Sequence, residues 1–595
     1  MGNIAAAHWG HDSAICFYKA DTQTFHTVEM EKLSGIKHFR GHGRHDQTVY
    51  WLKKVLKVVE EEFGIENDFD TFIIGSDWQY LDADTWAEND QIDSGLKVHP
   101  KHVREVFNVK EFKVAYRHHA GHAWCGIAQS QWANEKCAVF THDAGGDDGH
   151  TFLWKYSPTN NILVSKQTPQ WQIPEHRTFF GRYYTASSCH GVHAIASKTE
   201  QSLDIAGKVM GAAAYGDKRS PWYIVGQRLY KEDPETVEWI NPMARFFKSW
   251  YLMTQEGLEK MGIRGYKSGK EYLNKVFAET PECFNPYESW TSPIGLTWEE
   301  QTDVALGIQT QHENEVLNFL KKNREFIRQC DDKLIVSGGC ALNVLVNKRI
   351  QEELGLEVFV PPNVHDCGLP FGFLVQHLAE IGIDAWKGVD ITYSGSRLHD
   401  RHELDTYKEK YHHEEITISD LAKILKNDDI IGFIQGGGEV GARALGNRSI
   451  ICDPKGHDKK DKVNIVKKRE PYRPFAPMCR KEDAEKYFEA SDYNNLAFMN
   501  FAVMTRPEYT EQLAAVTHAD GTARLQTVTR EQNKFIHDLL TEFDGVLLNT
   551  SFNVQGKPIL NTLEEAFTVL DRTALDGVAY LDDDEKLWLF TSKKA

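Results

Sequence analysis

No C-x-x-C pair occurs among the ten cysteines, which are scattered over 595 residues. That spacing leaves neither a zinc-ribbon framework nor a dense disulfide scaffold. In so large a chain it reads as reduced, mostly buried thiols, and the expected location is cytoplasmic. Long apolar runs are missing too: Gly, Asp or His interrupts each within about ten residues, so no membrane span or membrane partner is expected. The opening residues, MGNIAAAHWGHDS, lack a basic stretch followed by an apolar one, and no signal peptide is expected. Positive charge is in short supply, with 68 Lys and Arg against 86 Asp and Glu, a net charge of −18. A surface that acidic repels polyanions on average, so any nucleic-acid contact would need a local basic groove.

What is present is globular: 41% hydrophobic, 26% charged and 11% aromatic residues, enough for several large domains. Two segments share a shape. Asn3–Ala7 and Ala14–Tyr18 read as short strands around the tip His8–Ser13. Cys137–Thr141 and Thr151–Tyr156 read the same way around Asp143–Gly149. Such hairpins either wrap phosphates and a metal or are two unrelated surface turns. A strand at Lys333–Val336 runs into SGGCALN and a helical pattern over Ala341–Gln351, an arrangement that lets backbone N–H groups approach a nucleotide. GKVMGAAAYG, Gly207–Gly216 with Lys208 beside it, offers a fourth glycine-lined surface. Together these suggest a nucleotide site built from several loops. Composition turns polar near residue 395, which divides the chain into 1–395 and 396–595.

Two constellations carry chemistry. In YRHHAGHAWCGIA, with His118, His119 and His122, the spacing is helical, so His118 and His122 project from one face and can share a metal. Asp143 and Asp366 are candidates to complete the site, and a purely hydrogen-bonded histidine cluster is the other reading. No Glu lies between the histidines, which disfavours a metalloprotease. In the second part, GARALGNRS (Arg443, Arg448), KKREPYRPFAP (Lys467, Lys468, Arg469, Arg473), Arg524 and LLNTSFN (Asn549, Ser551, Asn553) gather cations, amides and a hydroxyl suited to a small phosphorylated anion. Over 455–462, interleaved Asp458 and Asp461 make a solvated charged face the simpler reading for most lysines.

HHAGHA, DAGGDDG, GKVMGAAAYG, SGGCALN, the HDCG at Asp366, GARALGNRS, KKREPYRPFAP and NTSFNVQGKPI occur in that order. The ordered set resembles the O-carbamoyltransferases of the NodU/CmcH type, over nearly the whole chain. The resemblance implies an α/β fold: a duplicated actin-like (ASKHA) domain over 1–395, then a YrdC-like α+β domain over 396–595. It implies that the second domain makes carbamoyl-adenylate from carbamoyl phosphate and ATP with Mg2+, and that the first passes the carbamoyl group to an acceptor hydroxyl. By motif position, Arg443, Lys468, Arg473, Arg524, Ser551 and Asn553 would hold carbamoyl phosphate, with Lys468 and Arg524 catalytic. Lys208, Gly338, Gly339 and Asn343 would contact the adenylate. His118, His122, Asp143 and Asp366 would hold iron(II) or a similar divalent ion, and His11 would act as base or orienter for the acceptor.

Two departures from the family pattern stand out: MEKLSGIKHFRGHGRHD after the first hairpin, and Ala442 where proline is usual. The first lies near the expected acceptor region. Residues 219–276 interleave aromatics with cations, among them Trp222, Tyr223, Arg228, Tyr230, Lys248 and Trp250. That pattern fits a stacked base or sugar, or an aromatic core with snorkelling charges. The acceptor is thus read as a hydroxymethyl pyrimidine, such as 5-hydroxymethylcytosine in a nucleotide or DNA, or as a sugar or antibiotic hydroxyl. A homodimer is a further partner considered. The competing class is a metal-dependent actin-like nucleotide-binding protein without transfer activity, which gives no reason for the Arg443–Ser551 set.

Overall fold

Small and apolar residues in short runs build the strands that open the chain. β1 (Asn3–His8), β2 (Ala14–Lys19), β3 (Thr24–Glu29), β4 (Phe69–Gly75) and β5 (Val109–Ala115) form a sheet in the order β3-β2-β1-β4-β5. β6 (Cys137–Gly146), β7 (Gly149–Ser157), β8 (Ile162–Ser165), β9 (Lys333–Ser337) and β10 (Glu357–Phe359) form another in the order β10-β9-β6-β7-β8. Read from its other edge, the second sheet repeats the first strand for strand. The directions repeat too: β1 and β6 each pair antiparallel with the next strand and parallel with the fourth of their set. The two hairpins read from sequence are therefore equivalent parts of a duplicated α/β unit. The computed structural model describes residues 2–41, 45–75, 98–115, 117–146, 149–166, 184, 202–231 and 297–592, with single positions between 255 and 271.

Between the sheets lie two helices that are apolar on nearly every side, as buried helices must be. His118–Gln129 packs on β6 and β9, and Leu369–Glu380 packs on β1, β2 and β4. They cross at glycines: a Cβ on Gly372 would stand 1.9 Å from the Gly121 carbonyl oxygen. This close crossing holds the starts of both helices, and hence His118, His122 and Asp366, at the same end of the two sheets.

The remaining strands are β11 (His412–Glu415), β12 (Ile431–Gln435), β13 (Arg448–Cys452), β14 (Ala476–Arg480), β15 (Val503–Met504), β16 (Thr522–Ala523), β17 (Gln526–Val528), β18 (Leu547–Ser551), β19 (Gly577–Leu581) and β20 (Leu587–Thr591). Eight of them form a mixed sheet in the order β11-β20-β19-β12-β13-β18-β14-β17, and β15 pairs with β16. Helices such as Ile418–Lys426, opened by a Thr417 capping box, and Lys534–Phe543 cover it. This is the α+β second region. Its core is not separate: one apolar cluster runs from Phe140 and Val336 through Val346 to Ile434, Ile450 and Phe552. The stretch around residue 395 is correspondingly tied to both sides, with Thr27 N–H donating to Ser394 O (3.0 Å) and Gly395 N–H to Gly438 O (3.1 Å). Among the described residues, no helix is long and apolar enough to cross a membrane.

Candidate active site

The sheet duplication brings four ligand atoms together. His118 and His122 start the helix His118–Gln129, one turn apart. Asp143 lies just beyond the Thr141–Ser337 register pair of β6 and β9, and Asp366 opens the turn into Leu369–Glu380. All four side chains are buried, and their ligand atoms lie within 4.8 Å of one another. His118 Nε2 and His122 Nε2 are 3.1 Å apart, His122 Nε2 is 3.6 Å from Asp143 Oδ2, and both histidine Nε2 atoms are 3.5 Å from Asp366 Oδ1. Donors about 2.1 Å from a common tetrahedral ion would stand about 3.4 Å apart, so the set fits a divalent metal without rearrangement.

Gly338 and Gly339 act on this site in different ways. Gly338 has φ +93°, and a Cβ there would sit 2.3 Å from the His142 carbonyl oxygen. Its role is the tight turn after β9, and it does not line the cavity described below, contrary to the nucleotide contact expected of it. Gly339 N–H donates to Asp143 Oδ2, fixing that carboxylate.

His11 reaches the Asp366 carboxylate from the tip of the first hairpin. Its Nε2 is 3.3 Å from Asp366 Oδ2 and its Nδ1 is 3.0 Å from Asp12 Oδ2. Asp366 raises the His11 pKa to about 10 against the opposing effect of burial. Burial opposes ionisation of Asp366, but His11 and His118 hold it well below the usual carboxylate range. Asp12 also takes His38 Nδ1 at 2.6 Å, and Glu31 Oε2 accepts the His38 N–H at 3.0 Å. Glu31, Lys37 and His38 belong to the off-pattern segment expected near the acceptor, while Asp12 was not singled out, because only the fold brings this hairpin and the following turn to one wall.

That wall belongs to a cavity of about 390 Å³ running from Asp143, Asp366 and His11 to the second region. Arg443, Lys467, Arg469, Arg473, Arg524, Ser551 and Asn553 line the same cavity. Burial lowers Arg443 to about 10, with Arg473 adding to the effect. Burial, then Arg443, Arg469 and Arg473, push Arg524 well below its ordinary range. The Nε atoms of Arg443 and Arg524 are buried without a hydrogen-bond partner. A concave set of mutually repelling cations with unsatisfied donors is a site for an anion.

Two sequence expectations need correction here. Lys468 is exposed at the end of the helix His457–Lys467, in a left-handed conformation with φ +53°, and does not line the cavity. Lys467 does. It is 4% exposed, and its Nζ donates to Ser551 Oγ (3.1 Å) and Asn553 Oδ1 (2.7 Å). The signal was available: Val463, Val466 and Lys467 follow helical spacing onto the buried face. Lys208, expected at the adenylate, is buried and paired with Glu470. It lies in the helix Ser202–Ala213, so GKVMGAAAYG is largely helical, and Gly207, Met210 and Gly211 are what it presents to the cavity. Asn343 does line the cavity, capping its helix through Val346 N–H (3.2 Å) and bonding Gln309 (3.0 Å). In the aromatic stretch, Trp222 and Tyr230 are buried, and Tyr230 OH bonds His312 Nδ1 at 2.9 Å. They are core, not an open stacking surface. Lys248 and Trp250 lie outside the described residues.

A duplicated α/β region carrying a buried two-His, two-Asp set, fused to an α+β region carrying an arginine-lined anion site, defines a two-part group-transfer protein. The family described as Carbamoyltransferase N-terminus matches residues 4–373, and that described as Carbamoyltransferase C-terminus matches residues 422–583. Nodulation protein NolO of Bradyrhizobium diazoefficiens is 31% identical over 482 residues, covering 78% of this chain and 77% of that one. The 3'-hydroxymethylcephem-O-carbamoyltransferase of Streptomyces clavuligerus is 35% identical over 239 residues, 39% of this chain and 44% of that one. Full-length HypF in its phosphate- and nucleotide-bound form overlays with a TM-score of 0.30 at 13% identity, covering 65% of this chain and 47% of that one. The chain belongs to the carbamoyltransferase family.

Proposed function

We propose that this chain makes carbamoyl-adenylate from carbamoyl phosphate and ATP, and transfers the carbamoyl group to an acceptor hydroxyl within the same cavity. The observation that carries this reading is the continuity of the 390 Å³ cavity from the cation cluster to the metal set. Arg443, Lys467, Arg469, Arg473 and Arg524, with Ser551 and Asn553, bind the phosphate of carbamoyl phosphate. Its carbonyl–oxygen–phosphorus link opens with water to release phosphate. The carbamate oxygen then attacks the α-phosphorus of Mg2+-bound ATP, and pyrophosphate leaves. Gly207, Gly211, Gly339 and Asn343 line the path along which the adenylate lies. The acceptor oxygen then attacks the carbamoyl carbon and AMP departs with the bonding pair. A divalent ion such as iron(II), held by His118, His122, Asp143 and Asp366, would supply Lewis acidity toward the adenylate phosphate. His11, braced by Asp12 and kept protonated beside Asp366, orients the acceptor hydroxyl, whose proton leaves with the AMP phosphate.

The acceptor is a primary hydroxymethyl group on a ring. A relative named for carbamoylating a hydroxymethylcephem favours that group, and a hydroxymethyl pyrimidine, as a nucleotide or in DNA, presents the same one. A sugar hydroxyl is the second reading. The test is incubation with ATP, labelled carbamoyl phosphate and, in parallel, hydroxymethylcytosine DNA, its nucleotide, a hydroxymethylcephem and an oligosaccharide. Mass spectrometry reads the gain of one carbamoyl group. Absence of AMP and pyrophosphate with every acceptor overturns the reaction. A carbamoylated oligosaccharide with unmodified hydroxymethyl compounds overturns the acceptor.

A further inference from the structure

Glu29, Lys32 and Glu439, none of which lines the cavity, form a buried charged network beside it. Glu439, fully buried in the loop between β12 and β13, turns one carboxylate oxygen onto three backbone donors: Leu445 N–H (2.7 Å), Asn447 N–H (2.8 Å) and Arg448 N–H (3.2 Å). The loop is thus wound about a carboxylate, and Arg443 stands at its crest, over the cavity. The backbone carbonyl of the same Glu439 accepts from Lys32 Nζ, which comes from the helix Met30–Ser34 in the first region and also pairs with Glu29. Glu29 in turn accepts Gly441 N–H at 3.2 Å. Lys32 and Glu29 are both buried. On the Lys32 side, the next residues of the chain are Glu31, Lys37 and His38 of the cavity wall. Gly441, at φ +125°, lies so close to Pro362 that a Cβ would stand 2.9 Å from its carbonyl oxygen, three and four residues before His365 and Asp366.

Burying an ion pair costs desolvation that its mutual attraction barely offsets, so such a pair is weak evidence for stability and better evidence for geometry. Here both partners belong to the first region, and each holds the same loop of the second: Lys32 through the Glu439 carbonyl, Glu29 through the Gly441 N–H. We propose that Lys32, Glu29 and Glu439 are positioning residues that hold the Arg443 loop in register with the acceptor side of the cavity, so that the carbamoyl group activated at the cations meets the acceptor at the metal end. The proposal rests on the two-step reaction above. Neither Lys32 nor Glu29 contacts the anion cluster directly, so their loss should lower transfer far more than adenylation.

The test uses the full chain and the double variant Lys32→Met/Glu29→Gln, which removes the pair without stranding a buried charge and leaves the side chain at 29 able to accept from Gly441 N–H. Carbamoyl-phosphate-dependent ATP–pyrophosphate exchange should fall only several-fold through the loosened Arg443, while kcat for carbamoyl transfer falls by roughly 100-fold, the loss a misplacement near 1 Å produces. Lys32→Arg, which keeps a donor to the Glu439 carbonyl, should recover most of the transfer rate. Hydrogen exchange supplies a readout free of activity: amides over 436–448 should exchange about tenfold faster in the double variant, with those of β12 and β13 unchanged. Equal loss of both half-reactions, or undiminished transfer, overturns the proposal, as does unchanged exchange in the loop. If the parent itself shows no pyrophosphate exchange, the reaction reading has failed, and loop exchange alone decides the positioning role.

Discussion

Replacing Lys467 by methionine keeps the length and apolar stem of a buried side chain and deletes only its ammonium. In the free protein that ammonium donates to the Ser551 and Asn553 carbonyls, to Ser551 Oγ and to Asn553 Oδ1, all neutral acceptors. Burial first, then Arg469, Arg473 and Lys37, hold it well below the ordinary lysine range. Its loss therefore relieves repulsion while leaving acceptors less well satisfied. Asn553 Oδ1 keeps the Ser551 hydroxyl as a donor at 2.8 Å, so the two effects largely offset and the melting temperature should move by only a few degrees. A bound phosphate loses one charge-assisted contact, about 2 kcal/mol, or roughly 30-fold in affinity. Because an anion favours the charged lysine, phosphate binding to the parent should take up protons at neutral and alkaline pH, and the variant should take up fewer.

The assay is isothermal calorimetry with inorganic phosphate in buffers of differing ionisation enthalpy, beside the carbamoyl-phosphate dependence of pyrophosphate exchange. Lys468→Met is the control. Its exposed ammonium lies outside the cavity, so its affinity should stay within about twofold of the parent, as for surface substitutions generally. A Lys468→Met protein that loses most of its phosphate affinity, with Lys467→Met unaffected, would refute the placement of the anion site.

His122→Ala and Asp366→Asn should each lower the content of bound divalent metal by at least about tenfold, read by elemental analysis after dialysis; stoichiometric metal in both would remove the site. Gly372→Ala drives a methyl into the Gly121 carbonyl, and the helix crossing cannot yield without moving His118 or Asp366. It should cost about 1–3 kcal/mol and lower the melting temperature; an unchanged melting curve contradicts the crossing. His312 is held near a pKa of about 3 by burial alone. Its folded pKa lies below the unfolded value of 6.5, so the unfolded chain takes the proton first: stability is full above pH 6.5 and falls as the pH drops toward 3. At pH 5 the loss is about 2 kcal/mol, and His312→Gln should flatten that part of the denaturation profile by a similar amount.

The metal set was legible because its parts are local. Two histidines four residues apart on an apolar helix declare a shared face, and Asp143 and Asp366 each follow a recognisable strand or precede a glycine turn. What the sequence could not state was that β6 meets β9 in the register that puts Asp143 beside Gly339. The anion set was legible as chemistry and ambiguous as geometry. Adjacent lysines at 467 and 468 differ by 100° around a helix, and only the buried spacing of Val463 and Val466 distinguishes them. The glycines of GKVMGAAAYG show the same limit: their run reads as a loop by composition, while packing against the helix Trp298–Lys322 makes it a helix.

Glu29, Lys32 and Glu439 were illegible for a different reason. Charged residues are expected at the surface, and nothing in MEKLSG or GGGEVG says that the two segments, more than 400 residues apart, bury their charges against each other. Their meeting depends on two levels of organisation at once: the duplicated sheets that aim the first hairpin at the second region, and the mixed sheet whose β12–β13 loop projects back. A site assembled between two regions is specified by residues whose patterns make sense in neither region alone. The off-pattern charge is the trace such a site leaves in a sequence, and Glu439 bears it. It is an acid in a glycine loop otherwise built for binding an anion, placed where its own negative charge is spent on the backbone and kept away from the ligand.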